Sequence, residues 1–114
     1  MKSNFELMAE YNQGMNDRLF DTASELSSVE LEEDRGAFFR SIIGTLNHIL
    51  VGDVIWLKRF ANHEARFSSL EYVRDLSTPG ALDEVLYSTF EPLKEARAKL
   101  DVVFLDFASE ISES

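Results

Sequence analysis

The residues whose types and spacing most clearly suggest chemistry are one histidine and the two glycines around it. His48 has Gly44 four residues before it and Gly52 four residues after it. Glycine inside a helix costs about 1 kcal/mol relative to alanine, so two of them indicate close approach by a backbone, a ligand or an ion. Imidazole is a common ligand of divalent metals. His48 is therefore a candidate metal ligand, with Gly44, Gly52 and the nearby Trp56 as candidate pocket-lining residues.

The number of available ligands limits this metal hypothesis. A catalytic zinc-type site uses about three protein ligands. The only other histidine, His63, follows fifteen residues later, which is about 22 Å along a continuous helix. No carboxylate lies three or four residues from His48. The residues alone leave two alternatives open, partial metal binding through His48 and a bundle histidine without a metal, and they indicate no catalytic residue.

Two further polar residues interrupt apolar patterns and are candidates for supporting such a site. Asp53 falls at the centre of an apolar arc, where an unpaired carboxylate would be costly. We expect it to pair with a helix cap, with a tyrosine such as Tyr11, or with an arginine. Asn12 lies within an apolar seam, where an asparagine commonly fixes helix register through a buried hydrogen bond. A supporting role beside a metal is the alternative for both residues.

Helical periodicity predicts three long amphipathic helices. The first begins at a capping box formed by Ser3 and Glu6. Its apolar seam recurs at steps of three and four residues and consists of Phe5, Met8, Asn12, Met15, Leu19, Thr22 and Leu26. The second covers residues 38–60, with Trp56 in its core face and a narrow solvated strip at Arg40, Asn47 and Lys58. Its apolar surface is wide enough to require neighbours on two sides.

The remaining segments predict connectors and a third long helix. One helical turn is expected at Ser28–Glu33, and an irregular crossover at Asn62–Gly80 should contain a short helical or extended piece around Leu70–Leu76. The third helix should open between Thr78 and Asp83 and continue to Ile111. Pro92 would then lie inside it and kink it.

The composition of the chain limits the number of domains and the kinds of partner that we expect. The 114 residues predict a single domain spanning 1–114. With 21 acidic and 11 basic residues the net charge is −10, which disfavours binding to nucleic acid or to an anionic lipid surface. No stretch suggests a membrane span or an export signal, and there is no cysteine. We therefore expect a cytoplasmic protein.

Three segments of the chain resemble the DinB family of bacterial four-helix bundles. They are LMAEYNQGMNDRLFDTASELS, the connector SSVELEEDRGAFF, and SIIGTLNHILVGDVIWLKRF, which together cover residues 7–60 almost without gaps. The resemblance implies an all-α up-and-down bundle holding a divalent metal, nickel or zinc, on three histidines. His48 corresponds to the first of these, and the other two would lie on a fourth helix that this chain, ending at Ser114, does not reach. Relatives in the wider superfamily carry out thiol-dependent transfer or isomerisation.

These expectations lead to three hypotheses about function. The first is a DinB-like bundle of three long helices with an incomplete metal site. The second is a non-catalytic interaction protein that forms a homodimer or a higher oligomer through the groove that the missing helix would fill, where two copies of His48 could share an ion. The third is a small-molecule-binding bundle that uses the space between Gly44, His48 and Gly52. Whether the protein is an enzyme stays open.

Overall fold

Three long helices make up most of the described chain. The computed structural model describes residues 3–34, 36, 41–62, 67–76, 78–80 and 85–113. In these ranges the chain is helical and contains no strand, which confirms the all-α prediction. The elements are α1 (Asn4–Ala23), α2 (Ser28–Glu32), α3 (Ile42–Ala61), a 3-10 turn (Ser68–Leu70), α4 (Glu71–Arg74) and α5 (Phe90–Glu113).

Serine side chains determine where the first three helices begin. The predicted capping box of α1 is present, because the Glu6 N–H donates to Ser3 Oγ at 3.2 Å and the Ser3 N–H donates to Glu6 Oε1 at 3.0 Å. Ser27 and Glu30 form the same arrangement at α2, which is the predicted single turn. Ser41 caps α3 by accepting from the Gly44 N–H at 2.9 Å. These bonds satisfy donors that have no partner inside a helix.

The start of α5 differs from its prediction. The predicted opening between Thr78 and Asp83 falls partly outside the described residues, and residues 85–89 are not helical. Because α5 begins at Phe90, Pro92 lies in its first turn, where a missing N–H breaks no intrahelical bond. The predicted kink at Pro92 is therefore wrong. The short helical piece expected in the crossover is confirmed as the 3-10 turn and α4.

The three long helices are held together through α5. Helix α5 packs along α1 and against α3, whereas α1 and α3 make little direct contact in the described ranges. Asn16 bonds to Asp101, and the rings of Phe20 and Phe90 lie 5.7 Å apart, so α1 and α5 run in opposite directions. Helices α3 and α5 run in the same direction, since the crossover carries the chain back before α5 begins. We call the groove between α1 and α3, which residues such as Met8 and Trp56 line, the open corner.

The buried face of α3 is rotated by about 60° from the predicted arc at 100° per residue. Trp56, predicted in the core, is 58 % exposed, and Phe60 and Ile49 are also exposed. Asn47, predicted in the solvated strip, is 0 % exposed. The rotation arises because α2 and α4 pack on that side of α3. The buried residues of α3 are Ile43, Leu46, Asn47, Leu50, Val51, Val54, Leu57 and Ala61.

Polar residues on that rotated face are satisfied by backbone groups. Asn47 Nδ2 donates to the carbonyl of Tyr87 at 2.8 Å, and its Oδ1 accepts from the Tyr87 N–H at 2.9 Å. The Lys58 ammonium donates to the carbonyl of Val73 at 3.2 Å, at the end of α4. Hydrophobic periodicity could not predict these contacts, because it assigns every amide and amine to solvent.

Most of the predicted seam of α1 is exposed in the structure. Small side chains at Ala9 and Ala23, with Phe20, form the buried face instead. The exposed seam residues keep their regular spacing, and we call them the α1 stripe: Phe5, Met8, Asn12, Met15, Leu19 and Thr22. The stripe lies about 90° around the helix axis from the face that α5 covers. Its first three residues, Phe5, Met8 and Asn12, line the open corner.

The Asn47 contacts generate a stability prediction. Replacing Asn47 with alanine leaves the part-buried N–H and carbonyl of Tyr87 without their side-chain partner, at a cost of up to about 1–3 kcal/mol for each group. We expect Asn47→Ala to lower the free energy of unfolding by about 2–4 kcal/mol in urea titrations. Asn4→Ala, which removes an exposed amide from α1, is the control. Equal effects from the two variants would show that these bonds contribute no special stability.

Candidate functional site

His48 lies on α3, where its side chain is half-buried. The two flanking residues, Gly44 and Gly52, are also half-buried. A Cβ atom added to Gly52 would meet no heavy atom within 4 Å. The close approach that the sequence predicts is therefore not made at Gly52 by the described part of this chain. Any group that approaches Gly52 closely must come from elsewhere.

The described residues do not supply a complete set of metal ligands. Within the ranges that the structure describes, no group of three or more histidine, cysteine, aspartate or glutamate residues could hold a metal ion. His63 lies outside the described residues. The donor set beside His48 thus does not fit the three-histidine site that the resemblance implies, and we derive no chemical step through a metal.

Asp53 belongs to a polar cluster that joins α1, α3 and α5. Its Oδ2 lies 2.7 Å from Arg97 Nη1. Arg97 also contacts Asp101 Oδ1, through Nη2 at 2.8 Å and Nε at 3.0 Å. Asn16 Nδ2 donates to the same oxygen at 2.9 Å. Of the partners expected for Asp53, the structure therefore selects an arginine.

Sequence reasoning missed three members of this cluster. Arg97 and Asp101 have the i, i+4 spacing of a helical ion pair, which was a usable signal. Nothing in the local pattern linked Arg97 to Asp53, which is 44 residues away. The predicted supporting residue on α1, Asn12, is exposed and lies in the stripe, whereas Asn16 one turn later contacts the cluster. The described part of the chain therefore does not bury the Asn12 amide, in contrast to the expectation from the seam.

Burial dominates the electrostatics of Asp101. Desolvation raises the pKa of its carboxyl above the ordinary aspartate value, and the guanidinium of Arg97 only partly offsets this. Its second oxygen, Oδ2, is buried and has no hydrogen-bond partner. Protonation of the carboxyl would remove the cost of burying its charge, which the ion pair with Arg97 only partly offsets.

The main concave surface bordering the open corner is an apolar groove of about 480 Å³. Its rings contact one another, with centroids of Phe60 and Phe107 5.5 Å apart and those of Phe67 and Phe107 5.1 Å apart. Trp56 lies at the rim with the Arg59 guanidinium 5.1 Å from its ring centroid. The lining residues are Phe5, Met8, Ala9, Asn12, Trp56, Leu57, Phe60, Phe67, Phe104, Phe107, Ala108 and Ile111. Such a surface suits apolar side chains, not ions.

Comparison with known proteins identifies a family. The profile of the DinB family matches residues 1–114, which is the whole sequence. No curated protein and no solved structure matches the chain. In the described residues, no helix is both long and apolar enough to cross a membrane.

The environment of Asp101 generates a prediction about pH. Because the pKa of Asp101 is raised in the folded state, the folded protein binds this proton more tightly than the unfolded chain does. The stability that this proton on Asp101 contributes is therefore present at low pH. It is lost as the pH rises through the pKa that Asp101 has in the folded protein. In a plot of unfolding free energy against pH, the wild-type protein should lose stability above about pH 4. We expect Asp101→Asn not to show this loss.

The measurement compares urea unfolding of the two proteins across this pH interval. The pKa of Glu110 is lowered, chiefly by hydrogen bonds from Ser69. The stability that Glu110 contributes is therefore lost as pH falls, which is the opposite of the Asp101 effect. Taking the difference between wild type and Asp101→Asn cancels the Glu110 contribution. Parallel curves for the two proteins would contradict the prediction.

Proposed function

Because the chain belongs to the DinB family, we propose that it acts as a helical assembly protein that forms a homodimer through the open corner of its bundle. The observation that carries the proposal is the exposure of large apolar side chains around that corner. Met8 on α1 is 64 % exposed and Trp56 on α3 is 58 % exposed. Contiguous apolar surfaces of this kind mark interaction sites in soluble proteins.

The distribution of charge supports self-association through this surface. The chain carries a net charge of −10, and two copies repel each other at long range. The α1 stripe contains no charged residue, so copies that meet there bury none of the carboxylates. Screening by salt should weaken the repulsion and strengthen the dimer. The same negative charge disfavours nucleic acid as a partner.

A second proposal concerns the metal. His48 would supply one ligand to a divalent ion, nickel or zinc, with the remaining ligands provided by groups outside the described residues of one chain. Its position supports this, since it is a half-buried imidazole flanked by Gly44 and Gly52. We assign no catalytic residue and no reaction to the chain. The lack of cysteine is compatible with a cytoplasmic location, which we include in the proposal.

The homodimer is tested by measuring mass in solution. Light scattering at micromolar concentration should give about twice the 13.0 kDa of one chain. Met8→Glu places a charge in the apolar interface and should weaken association at least tenfold. Val102→Glu is the matched control, because it substitutes another exposed apolar side chain, on the outer face of α5. A wild-type protein that stays at the mass of one chain would refute the proposal.

The metal proposal is tested by calorimetric titration with zinc and with nickel. Wild-type protein should bind the ion, and His48→Ala should weaken binding at least tenfold because an imidazole ligand is lost. Thr45→Ala, which changes an exposed side chain on the same helix, is the control for a general effect of substitution on α3. Equal and negligible binding by wild type and both variants would exclude His48 as a metal ligand.

A further inference from the structure

We infer that a pocket between α3, α4 and α5 binds a small, uncharged aromatic molecule that carries one hydrogen-bonding group, such as a phenol. The pocket has a volume of about 240 Å³. It shares no lining residue with the open corner. The inference therefore goes beyond the proposed homodimer and does not depend on it. Most of the described residues that line the pocket lie on these three helices: Leu50, Val54, Tyr72, Tyr87, Ala96 and Leu100.

The inner wall of the pocket is built from buried aliphatic side chains. Leu50 and Val54 of α3 and Leu100 of α5 all belong to the hydrophobic core. Protein cores are normally packed so closely that few voids exceed the size of a water molecule. Aliphatic walls also offer a water molecule too few hydrogen-bond partners to hold it. The space beside these side chains therefore suits an apolar group.

The size of the pocket limits its ligand to about one ring. A cavity of about 150 Å³ with apolar walls binds benzene, and sites for drug-sized molecules have about 300–1,000 Å³. The volume of the pocket, about 240 Å³, lies between these values. A six-membered ring with one small substituent fits such a space.

Two tyrosines determine the chemical class of the ligand. Of the described lining residues, Tyr72 and Tyr87 are the two whose side chains can donate or accept a hydrogen bond. Their rings favour an aromatic ligand over a saturated one of the same size, because ring-to-ring contacts add to the burial of area. None of the described lining residues is charged. An ionised ligand would therefore lose its hydration without gaining an ion pair.

Polar side chains of α3 hold the two walls of the pocket that are not helical. Asn47 bonds to both the N–H and the carbonyl of Tyr87. The Lys58 ammonium donates to the carbonyl of Leu76, which lines the pocket just after α4. Walls that are fixed before the ligand arrives lower the ordering cost of binding. These contacts thus prepare the pocket for a ligand.

The mouth of the pocket lies at Tyr72 and Leu86, the two lining residues that are exposed to solvent. The Lys99 ammonium lies 5.7 Å from the centroid of the Tyr72 ring, and a cation is attracted to the face of an aromatic ring at this distance. This contact restrains the ring at the entrance. A small molecule can therefore enter from solvent without separation of the helices.

Titration with phenol tests the inference, with methyl resonances of the protein as the readout. Saturable binding should shift the methyl signals of Leu50, Val54 and Leu100, which line the pocket. The methyl signal of Met8, in the open corner, is the internal control and should stay in place. Cyclohexanol carries the same hydroxyl group on a saturated ring and should bind about two- to tenfold more weakly.

Two alanine positions on α5 provide a matched pair of variants. Ala96→Leu adds side-chain volume inside the pocket and should weaken phenol binding at least tenfold, because ligand and side chain compete for one space. Ala98→Leu makes the same change at an exposed position and should leave binding unchanged. Tyr72→Ala is a second test that leaves the core intact, since Tyr72 is exposed, and it should also weaken phenol binding.

The outcomes either support the inference or overturn it. Saturable phenol binding that Ala98→Leu keeps and that Ala96→Leu or Tyr72→Ala weakens supports the pocket. Equal binding by all three variants overturns it, as does a shift of Met8 in place of the pocket methyls. The lack of saturable binding at millimolar phenol also overturns it, and equal affinity for cyclohexanol overturns the aromatic class. The homodimer is judged separately, by the mass in solution.

Discussion

The contact on which the arrangement depends is the buried guanidinium of Arg97 between two carboxylates from two helices. Arg97 is 3 % exposed and bonds to Asp53 on α3 and to Asp101 on α5 itself, while Asn16 brings α1 to the same oxygen. A buried charge of this kind is strongly destabilising when one partner is removed. The cluster therefore specifies which helices meet at α5. It links α1 and α3 to α5 and not to each other, and the open corner lies between them.

The sequence predicted the helices better than it predicted their buried faces. Serine caps and the three-four rhythm gave the start of α1, the turn at α2 and the end of α3 close to their observed positions. On α1 the rhythm identified a real apolar stripe, but the face buried against α5 is built from Ala9, Phe20 and Ala23. Periodicity detects an apolar surface without indicating whether it is covered by the same chain or by another.

The residues of the candidate site could be predicted only where their spacing along one helix indicated an unusual position. Asp53 was recognised as a residue in need of a partner, but its partner Arg97 is 44 positions away and no short-range pattern links the two. Asn47 was assigned to solvent because it is polar, although the Tyr87 backbone satisfies its amide in the core. These contacts between distant residues depend on how the segment between α3 and α5 crosses the fold. Hydrophobic periodicity carries no information about that path.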